Sequence, residues 1–414
     1  MEEKNSEKKE RKMRDSGIPW IGEVPEGWEF SKIKYHCTMK SGDNITALDI
    51  SDNGEYPVYG GNGLRGFYKI YNKNGNHILI GRQGALAGNV HLVNGKFLAT
   101  DHAVIVTLKN DVFINYFFRM LESMNLNQYA FDTAAQPGLS VSRIMNLNIV
   151  LPNLKEQHRI ADFLGSKCSE IDTLIENLRA RMESAKEYKK AVITEAVTKG
   201  LDKDAKMKDS GVEWIGEIPE GWKVVRFKHI ASIKSNLVQP DKYMKYPQIA
   251  PDNIEKDTGR LLSHQTVEES GVISGNHLFY RGQILYSKIR PNLNKLTVAP
   301  FDGLCSADMY PIESKLPTLF MVYSMLSTYF VSQVSLIIQD RVKMPKINQE
   351  ELGEIKVAVP SQQEMLTIAD YLDSKCSEID ALLQNYEYQI ATLEEYKKSL
   401  IYEYVTGKKE VPEA

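Results

Sequence analysis

The chain has 414 residues, of which 42% are hydrophobic and 25% charged, with a formal net charge of −3. This length exceeds one ordinary core and predicts two or more domains of soluble globular type. No apolar run approaches the roughly 18–20 residues of a membrane span; the four cysteines form no CxxC pair, which argues against a zinc site and fits a reducing cytoplasm.

Residues 1–12, MEEKNSEKKERK, are charged, lack the apolar core of a secretory signal, and read as a disordered leader. Residues 13–152 form a first variable block, opening on MRDSGIPWIGEVPEGW. Asn-Gly pairs at 53–54, 62–63, 74–75 and 94–95 predict tight hairpin turns, because both residues tolerate positive φ. ILIGR (78–82), AVIVTL (103–108) and LNIVLP (147–152) read as strands, and VFINYFFRMLESM (112–124) as a helix capped by Asp111.

Residues 153–199 contain no proline and one glycine. Ile160, Leu164, Cys168, Ile171, Ile175, Leu178 and Met182 recur at steps of three and four, which is a heptad seam, with Lys189 at its one polar position. Forty helical residues span roughly 60 Å. A linker at 200–206 precedes a second box, MKDSGVEWIGEIPEGW (207–222), which opens a second variable block at 207–360. There GQILYSKIR (282–290) and IKVAVP (355–360) read as strands, TLFMVYSMLSTYF (318–330) as one helix, and Asn348 as an N-cap completed by Glu351. Residues 361–407 repeat the seam, IADFLGSKCSEID (160–172) returning as IADYLDSKCSEID (368–380). Ile368, Leu372, Ile379 and Leu393 are its counterparts, with Lys397 in the polar place. This segment is acidic, and the rest of the chain, mildly basic, permits DNA binding without demonstrating it. The tail, 408–414, is polar and expected to be loose.

Gly61-Asn62-Gly63-Leu64-Arg65-Gly66 matches the dinucleotide pattern GxGxxG, but a strand-like FYKIY follows where that chemistry needs a helix, so a glycine hairpin is the reading. Asp101-His102 has no second histidine or carboxylate cluster beside it, and is read as a structural or DNA-contacting pair. The boxes carry paired tryptophans, Trp20 with Trp28 and Trp214 with Trp222, which either cap the scaffold or dock a partner protein. Candidate DNA contacts are Arg65, Arg82, Gln83, Gln136, Ser142 and Arg143 in the first block, and Lys288, Arg290, Asn292, Lys295, Arg341, Lys343 and Lys346 in the second. Arg reads guanine edges, Gln and Asn read adenine, and Lys holds phosphate; for any one of these residues a solvated surface role is equally open.

The two DSG…PEGW boxes, the junctions LPNLKEQHRIADFL and VPSQQEMLTIADYL, and the segments YPVYGGNGLRGF, AQPGLSVSRI, ILYSKIRPNLNK and CSADMYPI together resemble the specificity subunit of type I restriction-modification systems over residues 13–407. Met365 departs from the glutamine expected there from Gln157. The resemblance implies an α+β fold with a pseudo-two-fold internal repeat. Two target-recognition domains, each a mix of small sheets and helices, are separated by two long antiparallel coiled-coil helices. It implies that each domain reads one half of a bipartite site in double-stranded DNA, while the helices fix the unread spacer. Catalysis then belongs to two methyltransferase subunits, which use S-adenosylmethionine to methylate adenine, and to ATP-driven restriction subunits. The chain itself would hold no cofactor and no metal, touch no membrane and work in the cytoplasm. A coiled-coil scaffold joining two protein-binding domains, and a nucleotide-dependent enzyme, are the competing readings. The antiparallel arrangement further predicts that Cys168 and Cys376 are not bridged.

Overall fold

A computed structural model describes residues 11–83, 87–109, 111–129, 138–341 and 343–412. The chain divides into two compact units, one formed by Met1–Leu178 with Tyr388–Ala414 and the other by Arg179–Glu387. Both long helices, Leu154–Lys199 and Gln362–Val405, pass from one unit into the other. Each starts on a side-chain cap: Asn153 Oδ1 accepts from the Glu156 N–H at 3.0 Å, and Ser361 Oγ from that of Glu364 at 3.3 Å. Each ends at a glycine with positive φ, Gly200 at +76° and Gly407 at +73°, conformations that a side chain disfavours.

In the first unit a hairpin, Met13–Asp15 with Glu23–Pro25, precedes the pair Glu29–Lys32 and Asn148–Leu151. An antiparallel sheet follows in the order Cys37–Ser41, Ala103–Leu108, His77–Gly81, Val90–Val93. A further sheet runs Gly63–Tyr68, Tyr56–Gly60, Lys96–Ala99, Lys73–Asn74, with Leu98 paired parallel to Val58. The second unit repeats this plan. Its hairpin is Met207–Asp209 with Glu217–Pro219, and its strand pair is Lys223–Arg226 with Lys356–Val359. Its antiparallel sheet runs Ala231–Ile233, Met309–Ser314, Ile284–Ser287, Leu296–Val298, and its mixed sheet again holds one parallel pairing, Gln248 with Leu304. Little sequence is common to the two blocks, yet the antiparallel sheets share one strand order, and the second mixed sheet differs by a fifth strand, Leu237–Val238.

Within each unit the long helices pair antiparallel. In the first, Ile160, Leu164 and Ile171, near the start of one helix, share a core with Leu400, Ile401 and Tyr404, near the end of the other. In the second, Val192, Ile193 and Ala196 share a core with Ile368, Leu372 and Cys376. Ile379 is buried, whereas Leu178 and Leu393 are half-buried. Gln157 is buried and useful: its side chain accepts from the Phe113 N–H and donates to the Pro152 carbonyl, both at 2.9 Å. Met365 stands at the equivalent place as a buried apolar residue, which explains why the second copy departs from glutamine.

Several local expectations are corrected. Asp111 does not cap the helix Ile114–Ser123; it lies 2.7 Å from His36 Nδ1, and His36 Nε2 lies 2.6 Å from Ser31 Oγ. TLFMVYSMLSTYF is not one helix but parts of two, Thr318–Leu326 and Thr328–Ile338, meeting at 59° where Ser327 turns the chain. Asn62-Gly63 does sit in a hairpin, whereas the Asn-Gly pairs at 74–75 and 94–95 carry the chain from one sheet to the other. Arg11 and Lys12, read as leader, are anchored: Arg11 pairs with Glu156 and lies 3.6 Å from Glu410, and the Glu26 N–H donates to the Lys12 carbonyl. Residues 1–10 lie outside the described residues. The tail is not loose as far as Val411, whose carbonyl accepts from Arg159 at 3.4 Å.

Candidate nucleic-acid interface

In the first unit the strand His77–Gly81 runs into Arg82 and Gln83. The Arg82 N–H donates to the His102 carbonyl at 2.9 Å, and the Arg82 carbonyl accepts from the Leu139 N–H at 2.9 Å. Gln83 bridges Gly138 antiparallel. A Cβ on Gly61 would lie 3.2 Å from the His102 carbonyl oxygen and 3.7 Å from the Arg82 nitrogen, so the hairpin turn abuts the same spot. Three segments remote in sequence therefore converge on Arg82.

In the second unit the strand Ile284–Ser287 runs into Lys288. The Lys288 N–H donates to the Asp308 carbonyl at 3.0 Å, its carbonyl accepts from the Ile347 N–H at 3.0 Å, and Ile289 bridges Lys346. Short helices then follow in both units. Ser140 caps Val141–Met145 by accepting from the Arg143 N–H, and Asn348 caps Gln349–Glu354 by accepting from that of Glu351. The backbone pattern thus makes Arg82 equivalent to Lys288, His102 to Asp308, Gly138 to Lys346 and Arg143 to Glu351. The scaffold is common and the side chains mounted on it are not.

The structure sorts the sequence candidates. Arg82 is half-buried, its guanidinium donating to Ser41 Oγ at 3.1 Å; Gln83 is exposed beside it. Arg65 is exposed on the hairpin strand Gly63–Tyr68, and its aliphatic stem packs over Gly60. Ser142 and Arg143 are exposed on the short helix, the Arg143 guanidinium 5.6 Å from the Tyr129 ring centre. Gln136 lies outside the described residues. Lys288 Nζ stands 5.3 Å over the Tyr310 ring. Arg290 is exposed in a left-handed conformation, φ 42°, and Asn292 is exposed in the turn after it. Lys346 Nζ donates to Asp308 Oδ1 at 3.2 Å, and Lys343 is exposed.

Two candidates are held by partners within the chain instead, Lys295 turned inward and Arg341 at the surface. Lys295 Nζ donates to the Pro251 carbonyl at 2.9 Å. Arg341 grips the Glu351 carboxylate with both terminal nitrogens, one at 3.1 Å, and this bond raises the Arg341 pKa while lowering that of Glu351. Sequence reasoning passed over Asp308. The alignment of LATDHAVIV (98–106) with LCSADMYPI (304–312) holds the signal that pairs it with His102.

Burial corrects half of the partner-docking set. Trp28 and Trp222 are 2% and 1% exposed. Each closes over the glycine that ends a long helix: a Cβ on Gly407 would lie 2.9 Å from Trp28 Cζ2, and one on Gly200 would lie 3.2 Å from Trp222 Cζ2. Trp20 is half-buried and Trp214 is 43% exposed, so only these indoles present surface. The glycine pattern at 61–66 is a hairpin followed by a strand, without the helix N-terminus that a dinucleotide pyrophosphate requires. Among the described residues no three His, Cys, Asp or Glu side chains are grouped to hold a metal ion.

Residues 25–184 match the family model described as Type I restriction modification DNA specificity domain. Over 267 residues the chain is 34% identical to the Type I restriction enzyme EcoDI specificity subunit of Escherichia coli, covering 60% of each chain. Over 152 residues it is 41% identical to the EcoprrI specificity subunit of the same organism, covering 36% of this chain and 38% of that one. These two matches span less than two thirds of the relatives' lengths. Over 423 residues it is 28% identical to the MjaVIII specificity subunit of Methanocaldococcus jannaschii, covering 93% of both chains. A chain in a solved structure concerning complex assembly and conformational transition of the type I R-M system aligns at TM-score 0.65 and 14% identity, over 93% of this chain and 99% of that one, which shows the fold. The chain is thus similar to type I restriction-modification specificity proteins, with the specificity-domain model matched at residues 25–184.

Proposed function

We propose that this chain is the DNA sequence-recognition subunit of a type I restriction-modification complex, one that methylates and restricts DNA. Each unit reads one half of a bipartite site in double-stranded DNA, and the paired helices set the spacer between the halves. The chain has no catalysis and no cofactor of its own. It directs two methyltransferase subunits, which use S-adenosylmethionine on adenine, and ATP-driven restriction subunits. Its place is the cytoplasm. No single helix among the described residues is long and apolar enough to cross a membrane, and the bent pair 318–326 with 328–338 is largely buried in the core of the second unit.

One observation carries this reading: a single backbone junction occurs twice, holding Arg82 and His102 in one unit and Lys288 and Asp308 in the other. Sequence-independent scaffolds with exchangeable exposed side chains are what base readout requires, because phosphate contacts position and base contacts specify. Co-expression with the methyltransferase of the same system, followed by sequencing of modified adenines, tests it. A split asymmetric motif supports the reading. Absence of new methylation favours a scaffold protein or a nucleotide-dependent enzyme.

A further inference from the structure

The common junction makes a sharper statement possible about which side chains read bases. In each unit the residue leaving the central strand is locked by two backbone hydrogen bonds, one to the turn carbonyl and one from the returning segment, at 2.9 Å and 2.9 Å for Arg82 and 3.0 Å and 3.0 Å for Lys288. With the backbone held on both sides, its side chain is presented from a fixed origin. The turn residue that accepts its amide, His102 or Asp308, is likewise held, because Asp101 N–H donates to the Asp43 carbonyl and Met309 N–H to the Ser306 carbonyl, each at 2.9 Å. Pre-positioned side chains on strands and tight turns read base edges with little ordering entropy to overcome.

Resting on the DNA-recognition reading, we propose that Arg82 with His102 in the first unit, and Lys288 with Asp308 in the second, are the base-reading pairs of the two half-sites. The chemistry differs between them. Arg82 offers a guanidinium fork suited to guanine O6 and N7, beside an imidazole. Lys288 offers a donor to the same guanine atoms, and Asp308 beside it offers an acceptor suited to cytosine N4. Asp308 also takes Lys346 Nζ at 3.2 Å, an orientation for which Gly138 leaves no counterpart in the first unit. The second unit therefore reads a G·C pair with donor and acceptor together, and the first reads a guanine by the fork alone. The exchange of histidine for aspartate is what separates the two specificities.

The experiment is adenine-methylation sequencing of the complete complex, co-expressed with its methyltransferase, for wild type, Arg82→Ala, Lys288→Ala, His102→Asp and Asp308→His. Arg82→Ala and His102→Asp are expected to alter one half-site only, and Lys288→Ala and Asp308→His the other only. Each alanine variant should lose about five- to 150-fold of discrimination at one G·C position. Thermal melting should be unchanged for the exposed His102 and fall only slightly for the others, because the locking bonds are backbone while Arg82→Ala, Lys288→Ala and Asp308→His lose the Ser41 bond, the Tyr310 ring contact and the Lys346 pair. Should Arg82→Ala fold poorly, Arg82→Gln keeps a polar side chain without the guanidinium fork and is expected to lose the preference for guanine at the same position. A wild-type bipartite motif that all variants reproduce unchanged would overturn the assignment while leaving DNA recognition intact, as would one variant altering both halves. A wild-type complex without any site-specific methylation would overturn the recognition reading itself.

Discussion

Lys189 reaches Asp380 across the long helices of the second unit, its Nζ 2.7 Å from both carboxylate oxygens. Lys397 reaches Asp172 in the first unit in the same way, at 2.7 and 2.8 Å. Both lysines occupy the one polar position of the seam, and each finds its aspartate because the helices run antiparallel. The Lys189 side chain is only 10% exposed, whereas that of Asp380 is 51% exposed, so the pair is half-solvated. Replacing Lys189 by Ala is expected to cost about 1–2 kcal/mol, below the fully buried case. Lys189→Met, which fills the space without a charge, should be close to neutral. Urea unfolding midpoints of the two variants check the difference.

Gly407 is expected to tolerate alanine worse than Gly200, although both end a long helix in the left-handed region. A Cβ on Gly407 would lie 2.6 Å from Pro25 Cγ and Cδ, while the nearest atom to one on Gly200 is Trp222 Cζ2 at 3.2 Å. Backbone strain is common to both, and overpacking against a rigid ring is added only at Gly407. Gly407→Ala should cost about 2–4 kcal/mol and Gly200→Ala about 1–2 kcal/mol, read from thermal or chemical melts.

The two repeated tryptophans differ in one bond. Trp222 Nε1 donates to Glu364 Oε1 at 3.2 Å, but Trp28 Nε1 is buried without a partner among the described residues, because Arg11 has taken the equivalent Glu156. Arg11 also lies 5.5 Å from the Trp28 ring centre. Arg11→Ala should release Glu156 to accept from Trp28. The expected result is a downfield shift of the Trp28 indole proton toward that of Trp222, with a stability change within about 1 kcal/mol. An unchanged indole resonance would rule out the exchange.

Cys37, Cys168, Cys305 and Cys376 are buried, and burial pushes their thiol pKa values up, to about 12 for Cys37 and about 11 for Cys376. Cys168 and Cys376 each lie inside the core of their own unit. The native chain should therefore react with no thiol reagent at pH 8, release four thiols on unfolding, and form no Cys168–Cys376 disulfide. Burial also raises the phenols of Tyr116, Tyr286 and Tyr329. For all these groups the folded pKa exceeds the unfolded one, so their contribution is complete below the ordinary thiol value of 9.0 and declines as pH climbs above it. Unfolding midpoints should fall between pH 8.5 and about 11, and stay flat if the thiols and phenols ionise as readily folded as unfolded.

Inserting one heptad into both long helices should lengthen the spacer of the methylated motif by about three base pairs, since seven residues rise roughly 10.5 Å and one base pair about 3.4 Å. Both half-sites should stay the same. A changed half-site would mean that the helices themselves read bases.

The sequence by itself determined the frame. Two boxes, two seams and the place of Lys189 and Lys397 were legible because repeats and heptads are local patterns, imposed by 3.6-residue periodicity and by the need to bury one stripe. The strands at 103–108 and 148–151 and the Asn348–Glu351 cap were legible for the same reason. Tertiary structure alone decided the rest. It brought Gly61, Arg82, His102 and Gly138 to one point, turned Lys295 inward, tied Arg341 to Glu351, buried Trp28 and Trp222 over helix-ending glycines, and gave Asp111 to His36 instead of to a helix. Each of these outcomes depends on which distant segment supplies the hydrogen-bond partner or the covering surface, and chain-local spacing carries no record of that choice.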